Sequence, residues 1–90
     1  MGTKNEPKNF GNNIRLLRKV HRLSQKEMAS IMGVSVYCVR KAEQGIFTAS
    51  LHIEALVNLS RHFRLPPSIF LAPPEDWSMD LLLNGEHPDP

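Results

Sequence analysis

Apolar residues recur along this chain at three- and four-residue intervals, the spacing of helices, and no stretch alternates as a strand does. Phe10, Ile14, Leu17 and His21 fall on one helical face with Leu16 and Val20 beside it, which predicts a helix from about Asn9 to His21. Its outer positions carry Arg15, Arg18, Lys19 and Arg22. Residues 1–8 lack that pattern and read as a flexible basic N-terminal arm. Ser24 followed three residues later by Glu27 is a capping box, so a second helix starts there. Leu23 can staple to Met28 across the cap, and Met28, Ala29 and Met32 form the inward stripe. Ala29 is small enough for a neighbouring helix to cross closely.

Gly33 stands where the chain must take a positive φ to leave that helix. Ser35 can cap a third helix at once, with Val34 stapling to Val39, and Gly45 ends it. At 100° per residue, Val36, Tyr37, Arg40, Lys41 and Gln44 share one half of this helix, and Cys38, Val39, Ala42 and Glu43 share the other. Residues 46–51 read as a loop. A fourth helix is expected from His52 to Arg64, with Ile53, Leu56, Val57, Leu59, Ser60 and Phe63 on its core side. Pro66-Pro67 breaks it, and Pro67 suits the first position of a short fifth helix through Ser68–Leu71. After Pro73-Pro74, residues 77–83 form a short amphipathic segment that Asn84-Gly85 stops, and the last five residues should be loose. The expected layout is an arm over 1–8, a helical domain over 9–72 and an extension over 73–90.

Ninety residues with 41% apolar and 22% charged side chains suit one small globular domain. No apolar run reaches the ~20 residues of a membrane span, and no hydrophobic leader is visible. The single cysteine cannot form an internal disulfide. A cytoplasmic protein without membrane contact is expected. The net charge of +2 hides an asymmetry. Residues 1–45 hold nine lysines and arginines against three acids, and residues 46–90 hold two against six. The basic half contains the paired helices, which points to a polyanion.

Catalytic chemistry is not supported. Cys38 has no histidine or second cysteine at metal-ligand spacing, and His21, His52, His62 and His87 are scattered. No nucleophile–base pair and no glycine-rich phosphate loop can be assembled, so no enzyme, cofactor or metal is expected.

Leu23-Ser24-Gln25 with Glu27, Ala29, Gly33-Val34-Ser35, Val39, Glu43 and Gly45, preceded by residues 10–18, resembles the Cro/cI-type (Xre-like) helix-turn-helix family. The resemblance runs from about Phe10 to Leu71. It implies an all-α, compact five-helix, lambda-repressor-like DNA-binding domain, to which residues 73–90 add a short amphipathic extension. It departs at the loop after Gly45, which carries Ile46 and Phe47 where the family usually has basic or polar residues.

By this resemblance the third helix enters the major groove of double-stranded DNA, with Val36, Tyr37, Arg40 and Lys41 as base-facing residues. Gln25, Ser35, Gln44 and Arg15 would touch phosphates, which position a protein without reading sequence. Arg18 and Glu43 would form an ion pair between the first and third helices. The implied function is transcriptional regulation, as a repressor and homodimer on a palindromic operator. Alternatives of the same fold are an antitoxin, with a toxin or antirepressor partner left open, and a restriction-modification controller. Another is an interaction module that has lost DNA binding. The apolar cluster of Trp77, Leu81, Leu82 and Leu83 could fold over the core beside Phe70 or form a dimer contact, and the sequence reading leans to the dimer.

Overall fold

The computed structural model describes residues 6–84. The chain is all-α: α1 (Glu6–Val20), α2 (Gln25–Met32), α3 (Val36–Glu43), α4 (Ile53–Phe63) and α5 (Met79–Asn84). Two 3₁₀ turns, Pro67–Leu71 and Pro74–Asp76, lie between α4 and α5. The expected fifth helix is the first of these turns, tightened between flanking prolines. Among the described residues no helix is long and apolar enough to cross a membrane.

α1 starts three residues earlier than expected. Glu6 and Pro7 belong to its first turn, where a carboxylate meets the positive end of the helix dipole and proline loses no hydrogen bond. The basic arm is therefore helical from Glu6, and residues 1–5 lie outside the described residues. At its other end Arg22 takes φ 57°, turning the chain out of α1.

The cap assignments hold. The Ser24 hydroxyl accepts from the Glu27 N–H at 3.0 Å, and Glu27 accepts from the Ser24 N–H at 2.8 Å. Gly33 sits at φ 75°, its N–H donating back to Ala29. Ser35 caps α3 by accepting from the Cys38 N–H at 3.0 Å.

One core runs through the molecule, built from Phe10, Ile14 and Leu17 of α1, Met28, Ala29 and Met32 of α2, Val39 and Ala42 of α3, and Ala55, Leu59 and Phe63 of α4. The fourth helix is turned relative to expectation. Its inward line is Ala55, Leu59 and Phe63, whereas Ile53 is 71% exposed and Val57 is exposed as well. Leu56 and Ser60 lie half-buried between those two sides.

The extension closes over the core. The Trp77 indole N–H donates to the Ile69 carbonyl at 3.1 Å, and the ring stacks edge-on against Phe70 at 5.9 Å. Leu82 is buried, and its carbonyl lies 2.7 Å from His21 Nε2. Where the sequence reading leans to a dimer contact, Trp77, Leu81 and Leu82 pack into this chain's own core, leaving Met79 and Leu83 exposed. His21 is a tether for α5 rather than a core residue.

A buried asparagine joins the first and last parts of the fold. The Asn13 carboxamide donates to the carbonyls of Phe70 and Ala72, each at 2.9 Å, and Asn9 donates to Leu71 at 3.2 Å. Carbonyls in the proline-flanked turn, which α-helical pairing cannot satisfy, are thus met by α1 side chains.

Candidate nucleic-acid interface

α2, the Gly33 turn and α3 form one packed unit. Met28, Ala29 and Met32 meet Val39 and Ala42 in the core, and the Val34 N–H donates to the Ala29 carbonyl at 3.0 Å. α1 lies close against α3 because of Gly11. A Cβ at that position would overlap the carbonyl oxygen of Ala42, so only glycine lets the two backbones approach this far. Pattern reading assigns Gly11 no role. The available signal is its cost: a glycine inside a helix gives up about 1 kcal/mol against alanine and needs a reason.

With the buried side of α3 fixed, its other side is set. Cys38, Val39 and Ala42 are buried, Tyr37, Arg40 and Gln44 are exposed, and Val36 and Lys41 are half-buried. Lys41 Nζ lies 5.6 Å from the centre of the Tyr37 ring, one turn away, so the two heads form a cation–π pair. Arg40 has no ion-pair partner among the described residues and leaves its guanidinium fork free. The outward side of α3 is therefore a short row of hydrogen-bond donors with one aromatic ring.

Arg18 does not belong to the outer positions of α1. It turns inward and makes a two-pronged bond to Glu43, Nε to Oε2 at 2.7 Å and Nη2 to Oε1 at 3.1 Å. Its remaining nitrogen donates to the Leu23 carbonyl at 3.1 Å, at the entry to α2. The hydrogen bond to Glu43, aided by the carboxylate's charge and opposed by burial, holds the Arg18 guanidinium even further above neutrality than usual. Gln25 joins the pair by donating to Glu43 Oε1 at 3.1 Å. One carboxylate thus ties α1, α2 and α3 together at the end of α3. Gln25 is half-buried in this network. It holds one amide N–H and its carbonyl in reserve.

Ser35 is exposed with its oxygen engaged as a cap, leaving the hydroxyl hydrogen to donate outward. Arg15 is exposed on α1 and is not alone. Lys8, Arg15 and Lys19 are exposed on one side of α1, and Arg22 is exposed just past its end, so together they form a cationic stripe. Gly11 and Arg18, which face α3, lie beside this stripe on the helical wheel. The start of α1 also abuts the end of α3, since the Lys8 Cα stands 3.7 Å from where a Cβ on Gly45 would sit.

The loop after α3 is anchored to that helix. The Thr48 hydroxyl donates to the buried Cys38 sulfur at 3.4 Å, and Phe47 stacks edge-on against Phe10 at 5.7 Å. Cys38 is a packing residue with this single polar contact. The chain matches no family model, no curated protein and no solved structure.

Proposed function

We propose that this protein is a sequence-specific binder of double-stranded DNA that regulates transcription, with α3 lying in the major groove. The observation that carries the reading is the division of α3 into two sides. Its apolar side is locked to α1 and α2 by packing and by the Arg18–Glu43–Gln25 network, which presents Tyr37, Arg40 and Lys41 outward on a rigid support. A helix held this way is about 12 Å across with its side chains, the width of the B-DNA major groove. Arg40 and Lys41 suit guanine O6 and N7, and Val36 suits a thymine methyl. Gln44, the Ser35 hydroxyl, the spare Gln25 N–H and the cationic stripe through Arg15 suit phosphates on either side. Pairing into a homodimer on a two-fold operator would place two copies of α3 one DNA turn apart, about 34 Å. Repression by occupying such an operator is the simplest mode.

Selection of bound duplexes from a random pool tests the reading and returns half-site and spacing together. Arg40→Ala and Lys41→Ala should each weaken the selected site by about 1–3 kcal/mol and relax preference at one base pair. Equal loss on every sequence would make them phosphate contacts. Binding that fails at low salt, or that shows no salt dependence, would remove the proposal.

A further inference from the structure

α1 and α4 finish at the same corner of the molecule, and α5 closes over it. The rings of His21, one residue past α1, and Phe63, the last residue of α4, lie 5.2 Å apart. Beside them is an open recess of about 120 Å³, lined by His21, His62, Phe63, Arg64, Leu83 and Asn84. Phe63 and Leu83 supply an apolar wall, and the other four side chains carry nitrogen donors.

Two observations set this recess apart from an ordinary meeting of helix ends. The first is backbone conformation. Among the described residues, the non-glycine positions with positive φ are Arg22 at 57° and Arg64 at 60°. Arg22 directly follows His21, and Arg64 lines the recess itself. Glycine is the usual residue at such a helix exit, and strain of this kind collects at ligand clamps. The second is that the cationic side chains have nothing to cap. Arginine or histidine at a helix C-terminus ordinarily donates to the last carbonyls. Here backbone N–H groups already do so: His21 to Leu17 at 3.0 Å, Leu23 to Arg18 at 2.8 Å, and Leu65 to Ser60 at 3.1 Å. The His21 imidazole is engaged by the Leu82 carbonyl. No carboxylate among the described residues pairs with His62 or Arg64. The Asn84 carboxamide gives one N–H to Asp80 at 3.3 Å and keeps the other, and Asp80 itself does not line the recess.

We propose that this recess binds a small phosphate-type oxyanion, held by the Arg64 guanidinium, the His62 imidazole and the second Asn84 N–H. A tetrahedral anion turns an oxygen to each of these donors, and an ionised acceptor makes such bonds strong. Volume sets the size class. A cavity of about 150 Å³ holds benzene, so 120 Å³ admits a phosphate group with a short organic remainder against Phe63 and Leu83. The bound anion joins the end of α4 to α5, adding to the His21–Leu82 bond that already holds α5. This site is separate from the outward side of α3 and does not depend on the proposed function.

Nuclear magnetic resonance of the full chain, titrated with inorganic phosphate against chloride at constant ionic strength, tests the assignment. Saturable shifts should gather on the Arg64 Nε–H, the His62 ring and the Asn84 carboxamide. Arg64→Gly should weaken phosphate binding at least about tenfold, the loss expected for a hydrogen bond to a charged group. It should not lower the melting temperature in chloride, because glycine adopts φ 60° without strain. Arg61→Ala, exposed on α4 and outside the recess, should leave binding unchanged. Shifts that grow without saturating, or that spread equally over Lys8, Arg15 and Lys19, would mean ion screening only and overturn the site. So would an Arg64→Gly variant that binds as before, or an equal loss in Arg61→Ala. A duplex arm separates the sources of phosphate. If duplex DNA shifts the same three side chains and free phosphate does not, the donors belong to the DNA backbone and the small-ligand site is removed. Phosphate saturation in a chain that binds no duplex supports the site and removes the DNA reading alone.

Discussion

Replacing Arg18 by methionine isolates the charge of the α1–α3 pair from its packing, since methionine keeps an unbranched stem of similar reach. The variant loses both prongs of the Glu43 bond and the bond to the Leu23 carbonyl. Glu43 is left 7% exposed with Gln25 as its one side-chain donor. Stranding one member of a buried pair costs about 3–5 kcal/mol. Arg18 keeps 15% of its side-chain surface, and water reaching the gap lowers the cost, so about 3 kcal/mol is expected. That is a large part of the roughly 5–13 kcal/mol available to a domain of this size. Removing both charges has a different consequence. In Arg18→Met combined with Glu43→Leu, no ion remains to be kept from water, and the double variant should lie within about 1 kcal/mol of wild type. Urea unfolding followed by far-UV circular dichroism, with equal slopes required across the set, measures each term. An Arg18→Met cost below about 1 kcal/mol would mean the pair behaves as a surface contact. A double variant as unstable as the two single changes added together would mean the residues act separately.

Asn13→Leu keeps the volume and leaves the Phe70 and Ala72 carbonyls without their donors, so a loss of about 2–4 kcal/mol is expected from urea unfolding. Trp77, bonded to the same turn, should report the change in its fluorescence. Gly11→Ala sets a methyl against the Ala42 carbonyl and should cost about 2–4 kcal/mol despite alanine's better helix propensity, read as a lowered melting temperature. Arg64→Gly relieves a side chain held at φ 60° at the end of α4 and should raise stability by about 0.5 kcal/mol in the same assay.

The parts of this fold that sequence makes legible are those whose physics is local. Ser24 with Glu27, Gly33, and Ser35 bond or bend within a few residues of themselves, and each does in the structure what its neighbours require. The two sides of α3 follow from helical periodicity for the same reason. The start of α1 was equally local but ambiguous, because Glu6 and Pro7 suit a first turn as well as an arm. Asn13, Gly11 and the inward side of α4 depend on partners tens of residues away. Asn13 answers carbonyls at 70 and 72, and Gly11 answers a backbone at 42. No spacing rule shows such a partner.

The turn of α4 about its axis decides which surface is left apolar. Assigning Ile53 and Val57 to the core assumes that apolar residues go inside, but that rule runs one way: cores are apolar, while apolar residues also lie outside. Ala55 turns inward in their place, a small side chain at the level where α4 meets α2 and where Asn58 donates to the Met32 carbonyl at 3.0 Å. The large side chains displaced by this rotation are the ones that line or extend an open apolar groove between α1, the loop after α3 and the start of α4. The same rotation that lets α4 seat against α2 therefore leaves Ile53 and Val57 uncovered next to Phe47. Phe47 itself occupies a loop where a basic or polar residue would suit a phosphate. Its ring is fixed by Phe10 and its outer edge stays exposed. Together these residues describe a chain whose loop after α3 contributes apolar surface instead of charge, so under the proposed function the cationic contacts to DNA come from the stripe along α1 and from α3 itself. Neutralising Lys19 and Arg22 together should then reduce the salt dependence of DNA binding by about two ions, while Phe47→Ala should leave that slope unchanged. A slope that falls with Phe47→Ala, or that survives the double neutralisation, would put the phosphate contacts elsewhere.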